Sequence, residues 1–491
     1  MADGVKPTGS VSPTSSPGGA AGLRRNVLSM PEVLTQSVAN AAPSAAVSVL
    51  PAIAFIYAGN GAWLTFVIAT ISMVLIGYSV SIFARRFASA GSFYVYNTKA
   101  LGSAGGFASG WALTLGYVFT AMATTCGVAI YLGAFLTQIG LPGGATVVIL
   151  LMIAIDVAVA SWFAYRSIGL SARVSLVLEA VSMTIILVLF AIVFARKGIS
   201  ADALTLKGMP SAGIGPGIVI AIFAFVGFES AASLGLEAKN PYRTVPSSVI
   251  ISAVLVGVFY IIGTLAQTTG FQGAKVGFDS APAPLFDLAG LMGVSWFGYV
   301  MNLGITASNF ACTLACINAG SRIVYQMGRD GMILGAAGRS HATNQTPHIG
   351  IYLVIPLMAL GPFVIILSGH GPLDVINWMG TTATFGFMLA YLLVAVAAPL
   401  YLYRRKERFL APLIVGAIGA LVMLYVYYAS VLPDNKLPDP LWPTMLWPII
   451  FVAWMVIGFV WYFIVRARSP HVMSQIGATH DTNEEMAAVA P

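Results

Sequence analysis

Twelve runs of roughly 20 apolar residues, each ended by a short polar or basic connection, most restrict what this 491-residue chain can fold into. About 20 such residues carry a helix across a bilayer's hydrocarbon core. The runs cover residues 34–57, 62–84, 104–138, 145–165, 173–195, 214–237, 247–270, 295–326, 349–369, 373–403, 409–431 and 443–466. Only 8% of residues are charged and mean hydropathy is +0.87, whereas soluble domains carry roughly 25% charged residues. The expectation is an all-α integral membrane protein with 12 transmembrane helices.

An even number of crossings puts both ends of the chain on one side. With the N-terminus inside, 19 of the 24 Lys and Arg residues fall on the inner side, and only Arg196, Lys197, Lys207, Lys275 and Lys436 fall outside. The excess of cations on cytoplasmic loops sets this orientation, with both termini in the cytoplasm and the chain in the plasma (cell inner) membrane. The net charge of +7 sits in short clusters between apolar runs rather than on one basic face. Topology accounts for it, and no nucleic-acid partner is expected. Residues 1–27, rich in Pro, Gly and Ser, read as a disordered cytoplasmic tail, and 469–491 as a second polar, flexible tail.

Two runs carry a break near mid-membrane, around Ala42-Pro43-Ser44 and around Gly227-Phe228-Glu229. A helix in hydrocarbon satisfies its own backbone groups, so an interruption survives only where protein or a polar cavity takes over. Broken helices at matching positions of two halves point to a secondary transporter, because freed N–H and C=O groups hold small polar solutes. Two long connections, 91–102 inside and 279–293 outside, each lie between the second and third runs of a five-helix half. Their opposite sidedness predicts inverted repeats over 28–200 and 201–404, with two further helices in 405–468.

Three separated motifs carry a family resemblance. Phe223-Ala-Phe-Val-Gly-Phe-Glu-Ser continues to Glu237-Ala-Lys-Asn-Pro-Tyr-Arg-Thr-Val-Pro246. Ala90-Gly-Ser-Phe-Tyr-Val-Tyr precedes Gly102 and Gly110-Trp111, and Ser321-Arg-Ile-Val-Tyr-Gln-Met-Gly-Arg-Asp-Gly331 precedes Thr346-Pro-His348. Over about residues 28 to 466 the chain resembles the amino acid-polyamine-organocation (APC) permeases. The resemblance implies a leucine-transporter-like 5+5 inverted repeat with discontinuous helices 1 and 6, and movement of amino acids or related amines. It also exposes a departure. Family members that bind a carboxylate usually have a Gly-small-Gly stretch in helix 1, whereas Pro43-Ser44-Ala45 stands here, and proline has no N–H to give.

The candidate substrate-binding residues are therefore Asn40, Ala41, Ala42, Pro43, Ser44 and Ala45 at the first break. Phe223, Ala224, Phe225, Gly227, Phe228 and Glu229 stand at the second, and Thr124 lies in the third run. The N–H groups of Ser44, Ala45 and Ala46 with the Ser44 hydroxyl form an anion cradle at a helix start. Carbonyls of Ala39 to Ala42 and Ala224 to Val226 would instead receive an ammonium group. Glu229 reads either as a carboxylate tying freed N–H groups of helices 1 or 6, or as a contact to a substrate amine. Phe225 and Phe228 read as cation-stacking lids or as plain packing.

Coupling candidates are Glu179, Ser182, Thr306 and Asn309. The resemblance implies that proton-coupled relatives place a lysine in helix 5 where Ser182 stands here. A carboxyl group in apolar surroundings favours its neutral form, which makes Glu179 a proton carrier or, structurally, a partner of Arg166 or Arg173. Thr306 and Asn309 share a helix face and offer a sodium site with helix 1 carbonyls. Asp156 reads as a helix-to-helix hydrogen bond, and ion pairs between the 237–243 run and Arg329-Asp330 as an inner gate. The three cysteines, Cys126, Cys312 and Cys316, read as small packing residues. The five histidines are scattered and no phosphate loop is present, so no cofactor, metal or enzymatic site is expected. The expected partners are a small-molecule amino acid or amine, the lipid bilayer, and a proton or sodium ion.

Overall fold

The computed structural model describes residues 22–281, 283–431, 446–477 and 481–482. Residues 1–21 of the tail expected at 1–27, residues 478–480 and 483–491 of the tail expected at 469–491, and Lys436 lie outside the described residues. The first apolar run divides into α1 (Met30–Asn40) and α2 (Pro43–Ala58), then α3 (Ala62–Ala84) follows a turn at Gly59–Gly61. Next come α4 (Phe93–Gln138), α5 (Thr146–Arg166), α6 (Ile168–Lys197) and the short α7 (Ala201–Leu204). The second broken run gives α8 (Ile214–Phe223) and a tight single-turn helix at Ser230–Leu234, before α9 (Pro241–Phe271) and the short α10 (Pro284–Leu291). The remainder is α11 (Phe297–Arg329), α12 (His348–Leu367), α13 (Pro372–Arg404), α14 (Leu410–Ser430), α15 (Leu446–Arg468) and α16 (Pro470–Gln475).

Among the described residues, ten helical stretches are long and apolar enough to cross a membrane, with Met30–Ala84 as one continuous stretch, and Ile214–Phe223 is a shorter apolar helix. The expected run at 214–237 does not persist as a helix: its α-helical part stops at Phe223. The stretch labelled α4 is two helical pieces meeting at a break at Gly102 (φ 80°, ψ −177°), so the run expected from 104 begins just after that break and the 91–102 connection is itself largely helical. The 279–293 connection likewise contains a helix, α10.

Local chemistry explains both breaks. Ala42 sits in the left-handed region (φ 43°, ψ 56°), and Pro43 behind it disfavours α geometry at Ala42 while starting the next helix well, since its missing N–H would have been unsatisfied there. Gly227 adopts φ 93°, where a Cβ would also lie 2.2 Å from Asn40 Nδ2. Only glycine serves both demands.

Of the broken helices, α1 packs on α6, α9 and α11, and α2 and α8 pack on each other with α3 beside both, while α4 packs along α11 and α13. The outer helices α12, α14 and α15 expose large apolar side chains such as Leu360, Leu421 and Val456, the surface lipid would cover. A mutual clasp fastens α15: Trp111 Nε1 donates to Trp454 O (2.8 Å), Trp454 Nε1 donates to Trp111 O (3.0 Å), and the rings stack at 4.4 Å. In hydrocarbon an indole N–H without an acceptor is costly, so this arrangement serves packing and polarity together.

The described parts of the two expected tails are docked. Leu23 is buried, and Val27 and Leu28 donate N–H bonds to Glu237 O (2.9 and 3.0 Å). Past α15, Val472 and Ile476 are buried and Gly477 N donates to Asp330 Oδ2 at 2.7 Å. Phe87–Ala88 pairs antiparallel with Asp481–Thr482. The flexible tail read from 469 therefore begins with a packed segment, held by two apolar side chains too few to register as a hydropathy signal.

Candidate functional site

The two breaks face each other and share partners. Asn40, the last residue of α1, donates from Nδ2 to Gly227 O at 3.3 Å. Tyr260 of α9 directs its hydroxyl to Ala224 O (2.7 Å) and Ala41 O (3.1 Å), bridging the carbonyl ends of both interrupted helices. Two cysteines one turn apart on α11 complete the cap: Cys312 Sγ donates to Asn40 O (3.2 Å) and Cys316 Sγ to Asn40 Oδ1 (2.9 Å). The reading of these two as mere packing residues is corrected; their thiols are donors to a backbone that has left its helix.

Glu229 is fully buried and takes a hydroxyl on each oxygen: Tyr117 of α4 donates to Oε1 at 2.7 Å, and Tyr391 of α13 donates to Oε2. Gly227 N–H donates in turn to the Tyr391 hydroxyl at 3.1 Å. The freed N–H thus reaches the carboxylate through a tyrosine, not directly as the sequence reading had it. Phe225 lies edge-on to Tyr260 (5.3 Å, 90°) and Phe228 packs on Tyr391 (5.5 Å, 67°), both fully buried. They hold the tyrosines in place. Phe223, Ala45 and Ala46 are half-buried.

At the start of α2, Ala46 N–H is committed to Ala42 O at 2.9 Å, which removes it from the expected cradle. Ser44 and Ala45 keep N–H groups without an intrahelical acceptor. The Ser44 hydroxyl is buried with no hydrogen-bond partner among the described residues. A buried hydroxyl of this kind ordinarily finds a partner.

One turn along α11 from Cys312, Ser308 Oγ donates to Glu179 Oε1 at 3.0 Å. The other carboxyl oxygen, Glu179 Oε2, and the Ser182 hydroxyl one turn along α6 are buried without partners among the described residues. Arg173 is not the partner of Glu179: its Nε donates to Glu32 Oε1 at 2.9 Å, at the capped start of α1. Arg166 lies over the Trp162 ring instead.

Three predicted residues fall elsewhere. Thr124 pairs with Thr313 (2.9 Å), Asn309 Nδ2 donates to Ile305 O (2.9 Å) beside Gly127 of α4, and Thr306 bonds Asn302 O (2.7 Å). Ser308 and Cys312 present the α11 face toward α6 and α1, and Asn309 lies about 100° further round. A sodium site joining Thr306 and Asn309 to helix 1 carbonyls is therefore not assembled. Asp156 of α5 is buried, with the Thr313 side chain of α11 as its polar neighbour on another helix.

Beneath the breaks, Glu237 and Arg322 form a two-pronged ion pair (Nε to Oε2 2.5 Å, Nη2 to Oε1 2.9 Å), with each side chain 1% exposed. The expected pairing of the 237–243 run with Arg329-Asp330 is thereby corrected. Asp330 instead accepts from Gln326 Nε2 (2.9 Å) and Gly477 N, and Arg322, buried inside α11, reaches Glu237.

Sequence reasoning missed Tyr117, Tyr260, Tyr391 and the partner role of Arg322. Nothing local distinguishes the tyrosines among the 19 in the chain. Arg322 had a signal: it is a cation within an apolar run, which seldom lacks a buried partner.

The family model for amino acid permeases matches residues 32–474. The chain belongs to the amino acid permease family, within the APC superfamily. This permease is 23% identical over 423 residues to the branched-chain amino acid permease BcaP of Bacillus subtilis (strain 168), covering 83% of this chain and 86% of that one. It is 26% identical over 365 residues to cationic amino acid transporter 4 of Mus musculus, covering 69% of this chain and 54% of that one. The low-affinity putrescine importer PlaP of Escherichia coli (strain K12) is 28% identical over 306 residues, covering 60% of this chain and 65% of that one. The family and these relatives are transporters, not enzymes.

Proposed function

We propose that this permease is a secondary active transporter that imports an amino acid across the plasma membrane by alternating access, proton-coupled or exchange-driven, with both termini cytoplasmic. Dividing Met30–Ala84 at its Gly59–Gly61 turn and adding the broken α8 crossing to the ten long stretches makes twelve spans, the number a five-plus-five inverted repeat with two appended helices requires.

The observation that carries the reading is the pair of facing breaks, cross-linked by Asn40 and Tyr260, with the unpartnered Ser44 hydroxyl beside them. The substrate carboxylate lies at the N–H groups of Ser44 and Ala45 and the Ser44 hydroxyl, at the positive end of α2. Its ammonium displaces the Tyr260 proton from the carbonyls of Ala41 and Ala224. Glu179, with one free carboxyl oxygen close to the first break, carries the coupling proton. The Glu237–Arg322 pair closes the cytoplasmic path and separates when the site turns inward.

A second reading, an organic amine or polyamine permease, draws on Pro43 and on the committed Ala46 N–H, which leave two N–H groups for a carboxylate, and on the likeness to a putrescine importer. Thermal unfolding of the purified protein with amino acids and with matched amines decides between them, because a ligand raises apparent stability by mass action. The main reading expects stabilisation by amino acids. Stabilisation by amines alone establishes the second, and indifference to both classes refutes the site.

A further inference from the structure

On the face where cationic side chains collect, away from the helix breaks, a cavity of about 500 Å3 is lined by Arg24, Ser167, Gly169, Leu170, Arg173 and Lys239. Three of these carry positive charge. Arg24 and Lys239 have no ion-pair or hydrogen-bond partner for their side chains among the described residues. Arg173 gives only its Nε to Glu32, and its side chain is 72% exposed. Glu32, the neighbouring carboxylate, is occupied by Ser29 N (2.7 Å), Ser29 Oγ (2.8 Å) and Arg173.

The cavity also holds the beginning of α6, a 30-residue helix whose first turn has no acidic residue and whose Ser167 makes no side-chain cap. The first N–H groups there have no intrahelical acceptor, and the helix dipole adds positive potential. Several donors and three cations thus converge on one space where Glu32 pairs with Arg173 alone, which leaves Arg24 and Lys239 without an anion of the chain among the described residues.

What leads out of the cavity identifies the class of occupant. Leu170, on its rim, begins a line of exposed apolar residues on α6: Val177, Val181 and Val188. Steps of seven, four and seven residues keep one face of a 3.6-residue helix. A basic cavity at the membrane boundary, opening onto an apolar ridge that runs into the bilayer, matches a phospholipid, with phosphate at the cations and acyl chains along the ridge. Free phosphate would use the cations and leave the ridge unexplained.

We propose that this cavity binds the headgroup of an anionic phospholipid. Its walls come from elements that the inner closure ties together. Arg24 precedes Val27 and Leu28, which bond Glu237 O, and Lys239 N donates to Leu28 O at 2.8 Å. A bound lipid therefore braces the closed inner face and favours the outward-directed form. The proposal does not depend on which solute is carried.

The test measures thermal unfolding of the full-length protein in neutral detergent with added short-chain phosphatidylglycerol, short-chain phosphatidylcholine, or inorganic phosphate, together with native mass spectrometry to count retained lipids. Phosphatidylglycerol alone is expected to raise Tm and to stay bound. Each cation near an anionic headgroup contributes about fivefold in affinity, so the double variant Arg24→Gln, Lys239→Gln weakens binding by roughly thirtyfold. Leu170→Asn weakens the lipid and leaves any phosphate effect unaltered. Equal shifts with inorganic phosphate would show a free-anion site and overturn the lipid assignment. Undiminished phosphatidylglycerol binding in the double variant, or equal binding of phosphatidylcholine, would overturn the cation cavity. Should the double variant fail to fold, the lipid count on wild type and on Leu170→Asn still decides.

Discussion

At Gly227 one residue joins the two breaks: its carbonyl accepts from Asn40, its N–H donates to Tyr391, and its φ of 93° excludes other residues. Gly227→Ala strains the backbone and drives a methyl into Asn40, so uptake falls to background even where protein reaches the membrane, as paired uptake and surface-expression assays will show. Tyr391→Phe removes a donor from buried Glu229 and an acceptor from Gly227. Losses of this kind cost about 1–3 kcal/mol, and the matching fall in Tm is measurable in detergent. Ser44→Val is expected to weaken carboxylate-bearing ligands far more than carboxylate-free ones; equal losses would rule out an anion cradle. Glu179→Gln should abolish uptake driven by a pH gradient and leave exchange intact, and unchanged accumulation would remove Glu179 from coupling. Both breaks were legible because proline and glycine are chemically singular in hydrocarbon. Their tyrosine and cysteine partners were not, since an apolar run does not reveal which residues of a distant helix it faces.

Among the elements, the proposed inner closure rests on the Glu237–Arg322 pair, joined across 85 residues of sequence. Removing one partner of a buried pair strands a charge and costs about 3–5 kcal/mol, whereas replacing both with apolar groups of similar volume is often neutral. Arg322→Met is therefore expected to unfold at markedly lower temperature than the double variant Arg322→Met, Glu237→Leu. A double-mutant cycle on Tm checks the difference. Apart from the sixth run, which stops being α-helical at Phe223, helix positions followed roughly from sequence, because the lipid core sets their length, but rotation about each axis did not. Runs that are apolar all round carry little phase information, and so Arg173 was matched with Glu179 when it meets Glu32, and Thr306 and Asn309 were aimed at helix 1 when Ser308 and Cys312 face that way.

For the whole molecule, the native thiols report on opening. Cys312 and Cys316 are fully buried at the first break, above the closed ion pair. A membrane-permeant maleimide should label them slowly in wild type and several-fold faster in Arg322→Met, and addition of substrate should alter the rate. Labelling at equal rates would mean that the pair does not control access. The described ends of both tails, read from sequence as loose polar segments, instead lie against this closure, because a few buried side chains and backbone bonds suffice to dock a segment that has no periodic pattern. Tyr260 has a consequence for the return stroke of the proposed cycle. One proton shared between the carbonyls of Ala41 and Ala224 would let the vacant protein quench its own hinge dipoles, lowering the penalty of bare oxygens in oil on a journey back without cargo.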